Sequence, residues 1–443
     1  MISPYFLRIK VEINKLSDVF GVRSKLVKSY IERSDVDNAF KEAIKDGNEI
    51  VVYGSSKQGK TSLILNNLEQ DRYVKVECSP QTSRIDIYKS ILRQMNITFT
   101  ESFISTESKE SGGKVTGNGG ISIPFIMDTK VGGELSDKAS SSTTVKQNHI
   151  GYDLNLAQDV SEILRKFSVN KFLVIENFHY LTLEVQEELS YDLRVFQDVG
   201  IIFIILGIWR EVNRLSQFNG DLVDRITEIA VEPWKKEDFE RVINKGEELL
   251  NVDFSIVKDK LIDSCFDSVG VVQEVCKYCC INAGVEETSV EKVQITQQNL
   301  SYAIDKKTEE YGTRHIRSFE SFSIVKRKTS NQSGKLALAF PYYFIIVLLS
   351  QEFTSLESGL SNMELLEKIR AVHHRNKEDI RSSDLATFLN NITKHQLDSN
   401  IRPPFVDYDR SGKRMRIIDS TLYFFFKHCD KKDIIEQLPN PFE

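Results

Sequence analysis

The sequence predicts an α/β protein: a parallel sheet covered on both faces by helices, then a helical region, then a small domain of helices closed by a hairpin. Three observations predict it. Short apolar runs such as EIVVY and FLVIE alternate with helix-like segments through the first half, as strands buried on both faces do. A glycine-rich turn joins the first of these runs to the helix after it. Beyond residue 234 the apolar strands give way to amphipathic helices, and two extended runs around DRSGKR come near the end.

Residues 16–46 predict two helices, LSDVFGVRSKLVKSYIE and VDNAFKEAIKDG. The second has apolar residues at 36, 40 and 44 and a stop at Gly47. EIVVY is the first strand. It runs into GSSKQGKT, residues 54–61, the full eight-residue phosphate-loop pattern. The chemistry dictates that spacing. Gly54 and Gly59 let the backbone curl until successive N–H groups point inward at phosphate oxygens. Gly54, Ser55, Ser56, Lys57, Gln58, Gly59, Lys60, Thr61 and Ser62 are therefore the candidate nucleotide-binding residues. The helix after the loop adds the positive end of its dipole. Lys60 is expected at the β and γ phosphates of ATP, and the Thr61 hydroxyl on Mg²⁺.

A strand over 72–78 and a helix over 83–95, capped by Ser83, come next. Residues 101–148 are rich in Ser, Thr, Gly and Lys. A partner-binding hairpin and a mobile loop are both open there. A helix over 153–168 leads to the strand KFLVIE, which stops at Glu176 and Asn177. In a parallel sheet this strand ends on the same rim as the phosphate loop. Glu176 then suits the carboxylate that orients metal-bound water, with Thr61 as the other metal ligand. A shift of one position would make Glu176 the catalytic group. Asn177 stands where a water-polarising acid is usual, and an amide can orient water but cannot take its proton. Slow or partner-stimulated hydrolysis is the expectation. His179 is close by in sequence and is weighed mainly as a structural residue. A helix over 183–197, a strand over 200–207, a helical stretch WREVNRLSQF and a last strand over 225–232 complete the sheet.

The expected divisions are a core over 1–233 holding the 101–148 insertion, a helical lid over 234–313, a charged linker over 314–335, and a winged-helix-like domain over 336–443. Net charge is −6, so any nucleic-acid surface must be local. Arg410, Lys413, Arg414 and Arg416 near the presumed wing, with Lys326, Arg327 and Lys328 in the linker, supply one; Asp407, Asp409 and Asp419 dilute it. The longest apolar runs are too short to span a bilayer, so a cytoplasmic location without a membrane partner is expected. Of six cysteines, Cys276, Cys279 and Cys280 form CKYCC, which lacks a second ligand pair and suits a buried helix better than zinc.

The chain resembles the AAA+/STAND-like P-loop ATPases, including relatives of origin-recognition initiators. The resemblance rests on FGVRSKL, GSSKQGKT, FLVIENFHYL, IIFIILGIWRE, DLVDRITEIAV and VDYDRSGKRMRIIDSTLYFFF. It implies a P-loop NTPase core, a lid and a C-terminal winged helix. It also implies that Arg225, just before the last core strand, reaches a neighbouring subunit's γ-phosphate, with Arg210 as a second candidate. Two departures accompany Asn177. The strand before Gly207 lacks the family's polar γ-phosphate sensor, and the lid has GVVQEV where many members carry an arginine. Three functions are open: a nucleotide-dependent switch in a multiprotein assembly, with anti-phage defence as a setting by analogy; a DNA-binding initiator or loader; and a non-hydrolysing subunit. Self-association or a partner protein is expected for the first.

Overall fold

The computed structural model describes residues 12–97, 152–324 and 337–442. The insertion at 101–148 and the basic run 326–328 lie outside them.

After the one-turn helix α1 (Leu16–Val19) the chain is irregular to residue 33, where a helix was expected. Backbone donors in that stretch serve the lid instead: Gly21 N–H donates to Gln273 Oε1 at 3.2 Å and Val22 N–H to Glu274 Oε1 at 2.8 Å. Helix α2 (Ser34–Asp46) forms as expected and ends at Gly47 in the left-handed region. Five parallel strands follow in the order β2-β3-β4-β1-β5: β1 (Glu49–Tyr53), β2 (Tyr73–Glu77), β3 (Phe172–Glu176), β4 (Phe203–Gly207) and β5 (Ile226–Ala230).

Alternation along each strand feeds two cores. Ile50, Val52, Val174, Ile204 and Leu206 pack with α2 and α3 (Lys60–Asn67). Val51, Leu173, Ile175, Phe203 and Ile205 pack with α4 (Arg84–Gln94), α5 (Ala157–Lys166) and α6 (Leu183–Gln197). Each fully buried aliphatic side chain here contributes about 1.5–3 kcal/mol. The stretch 209–218, expected as helix, is a series of turns, with Asn213 left-handed and its N–H given to Glu228.

The lid comprises α7 (Lys236–Leu250), the short pair β6 (Val252–Asp253) and β7 (Val293–Gln294), α8 (Lys258–Cys265), α9 (Val269–Asn282) and α10 (Gln297–Ser323). Cys265, Cys276, Cys279 and Cys280 are buried in its core, and no metal-holding cluster exists among the described residues. Helix α10 runs through 314–323, where a linker was expected. The charges of Arg314, Arg317 and Glu320 mask a helical stripe, His315, Phe319 and Phe322, that is buried.

The C-terminal part has α11 (Phe340–Ser350), α12 (Phe353–Glu357), β8 (Leu360–Ser361), α13 (Asn362–Val372), α14 (Ser382–Asn390), α15 (Ile392–Asp398), the hairpin β9 (Val406–Asp409) and β10 (Arg414–Ile417), α16 (Ser420–His428) and α17 (Lys431–Gln437). The sheet order is β8-β10-β9. Helices followed by a hairpin that closes on a short first strand are the winged-helix arrangement. One continuous apolar core joins the lid to this domain: Phe319 and Phe322 of α10 meet Phe344, Phe388, Phe405 and Phe426. Among the described residues no helix is long and apolar enough to cross a membrane.

Candidate functional site

At the C-terminal end of β1 the chain curls through Gly54 (φ +148°), Lys57 (φ +58°) and Gly59 (φ +86°) before α3 begins at Lys60. The first N–H groups of α3 have no partner within the helix, which leaves them for an anion. The Lys60 ammonium folds back over the loop and donates to the carbonyls of Gly54 (2.9 Å) and Ser55 (2.7 Å). Burial pushes it down to about 8, against the opposing pull of Glu232 and Glu176. It is charged at neutral pH and held where phosphate would relieve its desolvation.

The two predicted metal residues are brought together. Thr61 Oγ1 donates to Glu176 Oε1 at 2.7 Å, while Lys75 Nζ lies 2.9 Å from Glu176 Oε2. Lys75 also bonds Glu77 at 2.7 Å, and these two carboxylates outweigh desolvation in holding its ammonium above the ordinary range. One hydroxyl and one carboxylate suit a hard cation. Asn177, left-handed at φ +61°, turns the chain out of β3. It lines the same cavity as Lys57 to Leu63, Glu176 and His179. The cavity measures about 260 Å³, just below the usual range for small-molecule sites of about 300–1,000 Å³. Its wall also includes Tyr30, Trp234 and Arg33, whose guanidinium stacks 3.9 Å over the Trp234 ring. Leu206 and Ile208 wall it at the end of β4, which agrees with the missing polar sensor. Gly270, in the GVVQEV stretch of α9, donates its N–H to the carbonyl of Lys57 at 3.0 Å.

Arg225 lies elsewhere. In the register Glu49↔Ile226 it precedes the start of β5, so the strand length of roughly 15 Å separates it from the loop rim. It pairs with Asp198 at 2.6 Å. Within one chain it does not join the site; reaching phosphate would take a second copy. The second candidate, Arg210, does join it. Arg210 Nε bonds Ser55 Oγ at 2.9 Å and Glu232 Oε1 at 2.8 Å. Desolvation opposes its charge, but Glu232 holds it above its ordinary value. Glu232 also accepts from Ser55 N–H at 3.1 Å.

The largest surprise is the winged helix at the loop itself. Ser56 N–H donates to Ile418 O (2.9 Å), Ser56 Oγ to Asp419 Oδ1 (3.0 Å), Ser420 N–H to Ser56 Oγ (3.3 Å) and Ser420 Oγ to Ser56 O (2.7 Å). Asp419 caps α16 through Thr421 N–H and pairs with Arg314 of α10. Desolvation would raise its carboxyl, yet Arg314, His315, Thr421 and Lys57 together hold it below the ordinary range. No local sequence signal marks Asp419 as part of this site, since it lies 363 residues from Ser56. In the predicted basic wing, Arg410 bonds Asn390 O (3.0 Å), Arg414 bonds Gly359 O (2.9 Å), the Arg416 Nε is buried without a partner, and Lys413 forms the hairpin turn at φ +49°.

Residues 44–212 match the family model described as an AAA domain. No curated protein matches the sequence. Among solved structures, a Walker-type ATPase of Pyrococcus abyssi is similar at 12% identity and TM-score 0.48, over 92% of this chain and 99% of that one. The Aeropyrum pernix Orc1 protein in complex with DNA gives 10% identity and TM-score 0.43, over 97% of each chain. Cdc6p from Pyrobaculum aerophilum gives 12% identity and TM-score 0.37, over 91% and 93%. The family match covers the phosphate loop, the Glu176 strand and four of the five strands of the sheet that sets them side by side, so this part of the chain is similar to an AAA domain.

Proposed function

We propose that the chain is an ATP-dependent switch in which nucleotide at the phosphate loop and docking of the winged helix compete for the same few atoms. The observation that carries this reading is the set of hydrogen bonds tying Ser56 to Ile418, Asp419 and Ser420. A buried carboxylate beside the loop repels a triphosphate, and anything that fills the loop loosens Asp419 in return, because coupling between two sites is reciprocal.

Within the site, the curled backbone and the dipole of α3 hold the phosphates, and Lys60 leaves the loop carbonyls for phosphoryl oxygens. Mg²⁺ would be held by Thr61, with Glu176 orienting its water, and would supply charge neutralisation at the β and γ phosphates. Asn177 orients the attacking water but takes no proton, so turnover is slow. Arg210, shared between Glu232 and Ser55, holds the back of the phosphate loop through Ser55 Oγ. Arg225 acts only if a second copy docks, which ties fast hydrolysis to assembly. The DNA-loader reading finds Arg410 and Arg414 engaged by the domain's own backbone.

Asp419→Ala tests the switch. It is expected to raise affinity for a slowly hydrolysed ATP analogue plus Mg²⁺ about tenfold, and to expand the particle in X-ray scattering. Unchanged affinity would mean that docking and nucleotide are independent.

A further inference from the structure

His179 sits in the turn after β3, in the wall of the cavity that also holds Lys60, Glu176 and Asn177. It is 4% exposed, and neither ring nitrogen has a hydrogen-bond partner in the protein. That sets it apart. The other described histidines, at 315, 373, 374, 395 and 428, each reach an oxygen: Thr421 Oγ1, Leu338 O, Tyr343 Oη, Phe322 O and Ser264 O. A core histidine kept only for packing normally finds such a partner, because an idle buried polar group is costly. One that lacks it inside a ligand cavity is waiting for the ligand.

Its place in the cavity says which part of the ligand. His179 follows the Glu176–Asn177 strand terminus directly and lies within electrostatic reach of Lys60, the lysine of the phosphate loop. In the same cavity Leu206 and Ile208 present no polar group. Burial first, then Lys60 and Arg214, push the imidazole down to about 3, so the ring is neutral and carries one N–H donor.

We propose that His179 reads the terminal phosphate: a ring N–H donates to a γ-phosphoryl oxygen of the bound nucleoside triphosphate and has no such partner in the diphosphate state. The proposal rests on the nucleotide reading above and deepens it. It makes His179 a sensor supplied by β3 in place of the polar residue that β4 lacks.

Calorimetry with a slowly hydrolysed ATP analogue and with ADP, each with Mg²⁺, tests it on the full chain. His179→Leu is expected to lose about tenfold in affinity for the analogue, as for a lost hydrogen bond to a charged group, with ADP affinity within twofold. His179→Gln, which keeps an N–H, is expected to retain most of the preference. In the wild type, the His179 ring-nitrogen resonances, assigned by their absence from the Gln variant, are expected to shift with the analogue and not with ADP. Equal loss for both nucleotides, no loss for either, or resonances blind to the third phosphate would overturn the sensor role while leaving the nucleotide site intact. A wild-type chain that binds neither nucleotide would overturn the nucleotide reading itself.

Discussion

Lys60 illustrates how far single residues can be read. Its identity as a phosphate ligand follows from GSSKQGKT alone, but its present bonds to Gly54 O and Ser55 O come only from the folded loop. With its ammonium at about 8 in the free protein, part of the population is uncharged above that pH. Phosphate binding restores the charge, so nucleotide binding should take up protons at pH 8.5 and progressively fewer toward pH 7. Titrations in buffers of different ionisation heat measure this, and Lys60→Ala should bind too weakly to show it. Asn177→Asp should raise turnover about tenfold or more if the missing acid limits the rate; phosphate release measured under saturating ATP decides. The pairing of Thr61 with Glu176 was legible because the start of the helix after the phosphate loop and the end of the FLVIE strand lie on one rim. Asp419 and Glu232 were not legible, because their roles depend on tertiary docking that leaves no local pattern.

At the level of elements, periodicity located the strands well and the irregular connections badly. EIVVY, FLVIE and FIILG are continuous apolar runs, and such runs have little choice but a doubly covered sheet. Segments 20–33 and 209–218 carry helix-like spacing, yet their donors are claimed by neighbouring elements, Gln273 and Glu274 in one case and Glu228 in the other. Helix α10 shows the opposite error, where exposed charges hid a buried stripe. The contact between α9 and the loop is unusually tight. A Cβ at Gly270 would lie 2.6 Å from Lys57 Cβ and 2.7 Å from its carbonyl oxygen. Gly270→Ala should therefore push the start of α9 off the loop, weakening nucleotide affinity about tenfold with a fold stable enough to purify. Calorimetry beside a melting curve separates the two effects.

For the molecule as a whole, the junction of core, lid and winged helix is both polar and buried. Arg214 and Asp407 bridge β9 to the core at 2.9 Å, and His315 bonds Thr421 at 2.9 Å between α10 and α16. Desolvation, then Arg314 and Lys57, outweigh Asp419 and push His315 down to about 3. The unfolded chain takes up a proton on this residue below about 6.5, and the folded chain does not until near 3. Stability from His315 is therefore lost as pH falls through that window. The advantage of the wild type over His315→Gln should shrink by about 2 kcal/mol between pH 7.5 and 5, read from denaturant midpoints. The phenylalanine seam along α10 has a separate consequence. Lid and winged helix share one interior, so neither can melt while the other stays ordered. A scanning calorimeter should resolve two cooperative units among the described residues, the sheet domain on one side and, on the other, the lid and winged helix with the segment 16–31 packed against them, so that a domain motion would bend between those two bodies.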